Sequence, residues 1–197
     1  MKMLGFEKLM GNSPWSKKKV VELAKKLLEM AELRDATDFL EIGCGNGEVS
    51  KYIARNYVGK VIATDIDPDQ IAIARKGSGN ISNLRFQVAD AVELPFEDES
   101  FDVVIAFGVL HHIDKWDTAM AEIIRVLRPG GYLIYAEVIY PEAISSMDKS
   151  SSLSFGLETV DIEKVKAFFE KNGFTQVYSF LEKVLVCHNY EAVYRKG

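Results

Sequence analysis

Cysteine is scarce in this chain, and long apolar runs are absent. Its 197 residues include two cysteines, Cys44 and Cys187, which lie far apart. They form neither a zinc-ligand spacing nor a disulfide framework, so we expect no metal site and a reducing, cytoplasmic compartment. No run of about 18 apolar residues occurs, which argues against a membrane-spanning helix. Residues 1–12 carry charged side chains and lack the uninterrupted apolar region of a signal peptide.

An excess of positive charge is also missing. The formal net charge is -5 at pH 7, which disfavours a chain-wide attraction to nucleic acid. Lysines at 17–19 and 25–26 lie on one side of a predicted helix, where a solvated face is the simple interpretation and an anionic partner the alternative. A chain of this length can build one α/β domain with a substantial core, but two full domains are not expected. We therefore predict one domain over residues 1–197, as a monomer or a homodimer.

The most informative stretch runs from Asp38 to Ser50 and reads Asp-Phe-Leu-Glu-Ile-Gly-Cys-Gly-Asn-Gly-Glu-Val-Ser. Apolar residues around Glu41 predict a short buried strand that carries one charge, and residues 48–56 predict a helix. The three glycines between them lack a Cβ, so the backbone can turn sharply and approach a ligand closely. A strand, a glycine-rich turn and a helix N-terminus together predict a nucleotide-type pocket.

The glycine spacing separates two ligand classes. Dinucleotide-binding loops have the pattern Gly-x-Gly-x-x-Gly, whose third glycine would fall here at Glu48 or Ser50. Glu48 would also place a negative charge where a pyrophosphate needs a positive potential. The observed pattern, Glu-x-Gly-x-Gly-x-Gly, resembles the first motif of the class I S-adenosylmethionine (SAM) methyltransferases. A glycine-rich turn without a ligand is the alternative for the loop taken alone.

Two acidic residues follow the next predicted strands. Asp65 ends the strand at 60–65, about 20 residues beyond the loop, where a βαβ unit can bind both hydroxyls of a ribose. Asp90 follows the strand at 84–88, and the resemblance implies that it receives the adenine amine while the next backbone N–H meets a ring nitrogen. A carboxylate beside an N–H complements that donor and acceptor. Each aspartate could instead belong to a turn, although Asp67 is better placed to cap the following helix.

Three further phrases extend the resemblance. They are Leu94-Pro-Phe with Ser100-Phe-Asp, Val109-Leu-His-His-Ile, and Leu127-Arg-Pro-Gly-Gly. The first two are frequent in the branch that includes the ubiquinone/menaquinone-biosynthesis C-methyltransferases, and the third recurs across the family. The resemblance covers essentially the whole chain from Asp38 on. It implies a Rossmann-like three-layer αβα sandwich with a seven-stranded, mostly parallel sheet whose last strand is antiparallel.

The resemblance also implies a set of cofactor-binding residues. They are Glu41, Gly43, Cys44, Gly45, Gly47, Asp65, Ile66, Asp90, Ala91 and Phe107. In this set Ile66 packs beside the adenine, and the Phe107 backbone contacts the methionine part of SAM. Glu41 orients the loop or reaches the SAM ammonium through water. An unpaired buried carboxylate would be costly, so Glu41 should have partners.

His111 and His112 are weak candidates for a catalytic role, because histidine titrates near neutral pH. The alternative, which we favour, is a pair that orders the loop at a helix entry, since the motif recurs in family members with different substrates. A base is needed only where the nucleophile must lose a proton.

The element bounds follow from periodicity and breaker residues. Ser13-Pro14 predicts the start of a helix that continues to about Leu33. Trp116 to Leu127 predicts a helix that Pro129 ends, with a sharp turn at 128–131 before the next strand. Residues 1–36 are expected to form a helical N-terminal cap. The long serine-rich segment at 141–160 is a possible substrate lid.

The resemblance implies an enzyme that transfers a methyl group from SAM to a small-molecule acceptor and releases S-adenosylhomocysteine (SAH). The fourth strand is followed neither by an Asn/Asp-Pro-Pro-aromatic motif nor by Pro-Cys, which argues against amino-methylation of adenine or glutamine and against a cysteine mechanism on cytosine. Three alternatives stay open: a SAM-binding protein without catalysis, an RNA methyltransferase that uses the lysine face, and an NAD(P)-dependent oxidoreductase.

Overall fold

A seven-stranded sheet forms the centre of the protein. The structure, a computed structural model, describes residues 13–33, 37–139, 161–183 and 188–197. The strands are β1 (Phe39–Ile42), β2 (Val61–Asp65), β3 (Leu84–Val88), β4 (Phe101–Phe107), β5 (Leu127–Ile139), β6 (Phe174–Lys183) and β7 (His188–Lys196). Their order is β3-β2-β1-β4-β5-β7-β6. Strands β1 to β5 pair in parallel, and β7 is antiparallel to both neighbours, which confirms the predicted fold class.

Helices cover both faces of this sheet. They are α1 (Pro14–Leu28), α2 (Glu48–Asn56), α3 (Pro68–Ser78), α4 (Trp116–Val126) and α5 (Ile162–Lys171). Leu27 of α1 and Ile53 of α2 share a buried core with Ile105 of β4, and α3 packs on the same side of the sheet. Met120 of α4 and Phe169 of α5 share the other core with residues of β4 and β5. These layers form the αβα sandwich that places the carboxyl ends of β1 to β4 along one edge.

The helix caps confirm the sequence signals, but one helix is shorter than predicted. The Ser13 side chain accepts a hydrogen bond from Ser16 N at 3.2 Å, so Ser13 is the N-cap of α1. The same helix ends at Leu28 and not near Leu33. Met30 N and Ala31 N donate to carbonyls three residues earlier, which tightens the chain into turns.

The predicted turn at 128–131 is wrong in one respect, because β5 continues through it. Phe101 pairs with Leu127 and Val103 pairs with Tyr132, so four residues of β5 lie opposite Asp102 alone. Gly131 allows this bulge, since a Cβ there would lie 2.7 Å from the carbonyl oxygen of Asp102. The four residues therefore bulge within a strand and do not separate a helix from a strand.

The described residues cover only part of the two predicted flanking segments. The expected cap at 1–36 is described as α1 and the turns that follow it, and the possible lid at 141–160 lies outside the described residues. No helix in the described part of the chain is long and apolar enough to cross a bilayer.

Candidate functional site

A cavity of about 340 Å³ opens at the carboxyl ends of β1 to β4. We call it the first cavity. Six of the predicted site residues line it: Gly43, Asp65, Ile66, Asp90, Ala91 and His112. Their convergence follows from the parallel sheet, because strands that run in the same direction end at the same edge.

Asp65 links the glycine-rich loop to the start of α3. One carboxylate oxygen accepts a hydrogen bond from Gly45 N at 2.9 Å, and the other accepts one from Asp67 N at 2.8 Å. Asp67 in turn caps α3 by accepting a hydrogen bond from Asp69 N at 3.0 Å. A carboxylate has about four lone-pair sites, so Asp65 can hold both backbone groups and still accept donors from a ligand in the cavity.

The glycine-rich loop needs its glycines for two physical reasons. Gly43, Gly45 and Gly47 all have positive φ angles, of 69°, 51° and 74°. A Cβ on Gly43 would also lie 2.6 Å from Val109, and one on Gly47 would lie 2.5 Å from Phe86. The backbone of Gly43 therefore comes close to the wall of the first cavity in a way that no other residue type permits.

The rest of the loop lies behind Gly43 and does not line the cavity. Cys44 is buried, and burial raises the pKa of its thiol well above the ordinary value. Its backbone N–H donates to Thr64 O at 2.8 Å, and its carbonyl accepts from Gly47 N at 2.8 Å. A buried thiol of this kind is inert, so Cys44 belongs to the support of the loop.

Glu41 lies beneath the same loop. Its side chain is buried and accepts a hydrogen bond from the hydroxyl of Ser50 in α2, so the prediction that it has a partner is confirmed. Burial raises the pKa of Glu41 to about 7, against the opposing effect of the Ser50 hydrogen bond. Glu41 lines neither this cavity nor the second one described below, and it joins β1 to the helix that follows the glycines.

His111 and His112 occupy different environments. They belong to the short 3₁₀ helix Leu110–His112, and their ring centroids lie 3.9 Å apart. His111 is 5% exposed, and its Nδ1 forms a hydrogen bond with a carboxylate oxygen of Glu137 on β5. His112 lines the first cavity, where burial and the neighbouring His111 lower its pKa to about 3. A histidine with so low a pKa is neutral at pH 7 and is a weak proton acceptor.

A second cavity, of about 460 Å³, adjoins the first. It lies between α1 and the sheet, where the carboxyl-terminal halves of β4, β5 and β6 and the amino-terminal half of β7 line it. The apolar residues of its lining are Val20, Leu23, Phe107, Val138, Phe180 and Tyr190, and the charged residues are Lys19, Glu182 and Glu191. Glu137 also belongs to the lining, but its side chain is fully buried. Gly108 lines both cavities, so they meet at the residue that follows β4.

Sequence reasoning missed this second cavity and the role of Glu137. The cavity joins α1 to β6 and β7, which are far apart in the chain, so local patterns could not indicate it. Glu137 did have a signal, because it is the one charged residue in the apolar run at 132–139 of β5, just as Glu41 is in β1. Phe107, expected at the cofactor, has its place in the lining of the second cavity.

The lysines of α1 are largely neutralised by carboxylates. Lys25 pairs with Glu22 at 2.8 Å, Lys17 pairs with Glu48 at 3.5 Å, and Lys26 pairs with a glutamate of β7. Among the described residues, no group of histidines, cysteines and carboxylates is arranged to hold a metal ion.

Comparison with known proteins agrees with this geometry. Residues 40–135 match a family model described as a methyltransferase domain. The methyltransferase GfsG of Streptomyces halstedii is 29% identical over 159 residues, which are 77% of this chain and 57% of that protein. The ubiquinone/menaquinone biosynthesis C-methyltransferase UbiE of Idiomarina loihiensis is 35% identical over 120 residues, 58% of this chain and 47% of that protein. The chain thus spans about half the length of these curated relatives.

Solved structures extend the comparison to the fold. The crystal structure of the cyclase SpnF superposes with a TM-score of 0.78 at 22% identity, and covers 94% of this chain and 83% of its own. At this identity the likeness concerns the fold alone. A fold of this kind can host more than one reaction, so the reaction has to be argued from the site.

Proposed function

Since the chain belongs to the class I S-adenosylmethionine-dependent methyltransferases, we propose that it binds SAM in the first cavity and methylates an apolar small molecule in the second. The observation that carries the proposal is the position of Gly108, which lines both cavities. A methyl donor in one cavity and an acceptor in the other would meet at this residue. Methyl transfer requires such a meeting, because the nucleophile must approach the methyl carbon from the side opposite the sulfur.

The adenosine part of the cofactor fits the residues of the first cavity. Asp65 accepts the two ribose hydroxyls while it keeps its bonds to the backbone, and Ile66, which is 39% exposed, offers an apolar surface to the adenine ring. Asp90 accepts the exocyclic amine, and the Ala91 N–H donates to a ring nitrogen. These assignments rest on the position of all four residues in the lining of one cavity.

The charge of the first cavity also suits SAM. Asp65, Asp67, Asp90 and Asp114 line it, against one basic residue, Lys115. Carboxylates favour a positively charged sulfonium and a ligand ammonium, and they disfavour a pyrophosphate. This distribution argues against an NAD(P)-dependent oxidoreductase.

The start of α2 is likewise unsuited to a dinucleotide. Glu48, its first residue, pairs with Lys51 at 2.8 Å and contributes nothing to the lining of the first cavity. A dinucleotide site would place its pyrophosphate on this helix terminus, where Glu48 supplies the wrong sign of charge.

The methionine part would lie along the glycine-rich loop. Gly43 keeps the backbone close to the cavity, and Gly45 is held by Asp65. Gly47 and the buried Cys44 shape the loop from behind, and Glu41 fixes α2 through Ser50. The Phe107 backbone, one residue before the junction at Gly108, is the remaining contact of this set.

When bound, SAM supplies a methyl group that is attached to a positively charged sulfur. The sulfur keeps the electron pair of the broken bond, so the cofactor leaves as neutral SAH. The residues of this chain contribute alignment and the exclusion of water, which can account for much of the rate, about 7–11 kcal/mol in favourable cases. His112 faces the first cavity as a neutral ring and can order a polar group there without adding charge. The site therefore suits an acceptor that needs no strong general base.

The walls of the second cavity favour an apolar acceptor. Val20 and Leu23 of α1 close it on one side, and Phe107, Val138 and Phe180 close it on the other. UbiE is named for ubiquinone and menaquinone biosynthesis, and a relative in Mycolicibacterium smegmatis is a fatty-acid O-methyltransferase. An apolar acceptor is consistent with both names. The N-terminal helix α1 would then cover the acceptor site on one side.

RNA is a weaker candidate acceptor. The lysines of α1 that are paired with carboxylates offer less positive potential to phosphates. Lys19 lines the second cavity, whose lining also includes Glu182 and Glu191.

The experiment that tests the proposal is transfer of label from methyl-tritiated SAM to a panel of apolar alcohols, phenols, quinols and fatty acids. Label in an extracted product supports a methyltransferase and identifies the nucleophile. Tight SAM binding without transfer to any compound or to RNA would favour a SAM-binding protein of another activity.

A further inference from the structure

Glu137 holds the segment that follows β4 and lines the first cavity. Its Oε2 accepts a hydrogen bond from Leu110 N at 3.0 Å, and its Oε1 contacts His111 Nδ1 and accepts from Val138 N at 3.1 Å. We call residues 108–112 the shared wall, because Gly108 lines both cavities and Val109 and His112 line the first. The carboxylate therefore fixes the wall at two neighbouring residues.

Two further features of the backbone shape the wall. Gly108 has a φ of 59° and donates its N–H to Ala136 O at 2.8 Å, which fixes where the wall begins. Beyond that point the chain turns through a single 3₁₀ helix of three residues. The ring of His111 lies against that of His112, with centroids 3.9 Å apart, so the position of His111 determines where His112 faces the first cavity.

The burial of Glu137 and His111 indicates a role beyond stabilising the fold, because desolvation of both groups costs free energy. Glu137 is 2% exposed and His111 is 5% exposed. A buried polar pair commonly stabilises a fold no better than apolar residues of similar volume, because both groups lose their hydration. The neighbours of Glu137 on the same face of β5, Leu133 and Tyr135, pack into the apolar core without such a pair. The polar pair occurs where β5 reaches the cavities.

We infer that Glu137, acting through His111 and the Leu110 amide, is a positioning residue that preorganises the shared wall for cofactor binding. The inference rests on the proposed function, since it takes the first cavity as the SAM site. Preorganisation raises apparent affinity, because a ligand that must first order its own site binds only the competent fraction of the molecules.

Two substitutions separate positioning from structural support. Glu137→Gln can still accept from Leu110 N and can donate its amide to His111 Nδ1, so it keeps both contacts with the wall and loses only the bond from Val138 N. Glu137→Leu fills the volume and removes all three bonds. Isothermal titration with SAH should give the glutamine variant an affinity within about threefold of native, and the leucine variant one at least about tenfold weaker. The leucine variant should also have a lower melting temperature than native protein, because it leaves buried partners of the carboxylate unpaired.

A matched control is Glu122, which also accepts a hydrogen bond from a backbone amide, Leu94 N at 2.7 Å, and pairs with Arg125, but lines neither cavity. Glu122→Leu should lower the melting temperature and leave SAH affinity unchanged. If Glu137→Leu behaves in the same way, Glu137 is merely structural and the inference is overturned.

The nitrogen NMR signals of the histidines provide a second test, which uses the glutamine variant and so does not depend on the folding of the leucine variant. The chain has three histidines, so their nitrogen resonances are few enough to assign. In native protein His111 should carry its proton on Nδ1, and in Glu137→Gln on Nε2, while SAH affinity persists. An unchanged tautomer, or a glutamine variant that binds SAH at least about tenfold more weakly than native, would overturn the positioning role. Absence of SAH binding by native protein would instead contradict the proposed function.

Discussion

The carboxylate of Asp65 and the amide of Gly45 are joined by a hydrogen bond of 2.9 Å across 20 residues of sequence. This bond ties the end of β2 to the glycine-rich loop after β1, so the residue proposed to bind the ribose also shapes the loop proposed to bind the methionine part. The two halves of the cofactor site are therefore not independent.

Replacing Asp65 should strongly weaken the binding of the cofactor. Asp65→Ala removes the proposed ribose bonds and releases Gly45, and a hydrogen bond to a charged group is worth about 1.5–3 kcal/mol, or roughly 10- to 100-fold in affinity. Titration with SAH should show at least that loss. Asp69→Ala is the control, since Asp69 is exposed and does not line the first cavity. Native affinity in Asp65→Ala would show that the ribose assignment is wrong.

A methyl group at position 43 should destabilise the protein more than one at position 45. Both glycines have positive φ, which costs an alanine about 1–2 kcal/mol. Only at Gly43 would the new Cβ also meet Val109, at 2.6 Å, whereas nothing lies within 4 Å at Gly45. Urea unfolding should place Gly43→Ala a further 1–3 kcal/mol or so below Gly45→Ala. Adding Val109→Ala should recover part of that difference, and no recovery would refute the predicted contact.

The stability contributed by Glu41 should decrease as pH rises through the acidic range. Its pKa is raised from 4.5 to about 7 in the folded protein because burial disfavours the charged form. The folded state therefore holds a proton that the unfolded state has released between about pH 4.5 and 7, and stability falls across that window by roughly 3 kcal/mol. Below the window both states are protonated, and above it both are ionised.

Glu41→Gln tests this pH dependence, because a glutamine does not titrate. Relative to native protein, the variant should gain stability between pH 5 and pH 8 in urea unfolding. A constant difference between the two proteins over that range would contradict a raised pKa at Glu41.

Filling the second cavity should weaken the binding of an apolar ligand there without changing the binding of the cofactor. Val20→Trp places a large ring in the cavity, whereas Lys18→Trp places it on the exposed side of the same helix. Binding of N-phenyl-1-naphthylamine, an uncharged apolar fluorophore, should fall at least about fivefold in the first variant and remain in the second. SAH affinity should be native in both. Equal loss of SAH affinity in Val20→Trp would contradict the separation of the two cavities.

The sequence predicted those helices and strands that are delimited by residues next to them in the chain. The helix at 48–56 and the strand at 84–88 occupy the predicted residues, because a glycine before the helix and turns around the strand delimit them. The bulge at 128–131 was not predictable, because it depends on how β5 pairs with β4.

The sequence likewise predicted those parts of the candidate site that lie at strand ends and did not predict those that depend on distant contacts. Gly43, Asp65 and Asp90 converge on one cavity because each follows a parallel strand. The bond between His111 and Glu137 joins residues 26 positions apart, and neither periodicity nor motif spacing reports such a contact. The second cavity likewise depends on the packing of α1 against strands at the other end of the chain.

The most direct test of the account is isothermal titration of the native protein with SAM and SAH, with NADH as the control ligand. We predict micromolar binding of the first two and none of NADH, together with the loss of SAH binding in Asp65→Ala. Binding of NADH alone would contradict it, and would mean that the glycine-rich loop serves a dinucleotide after all.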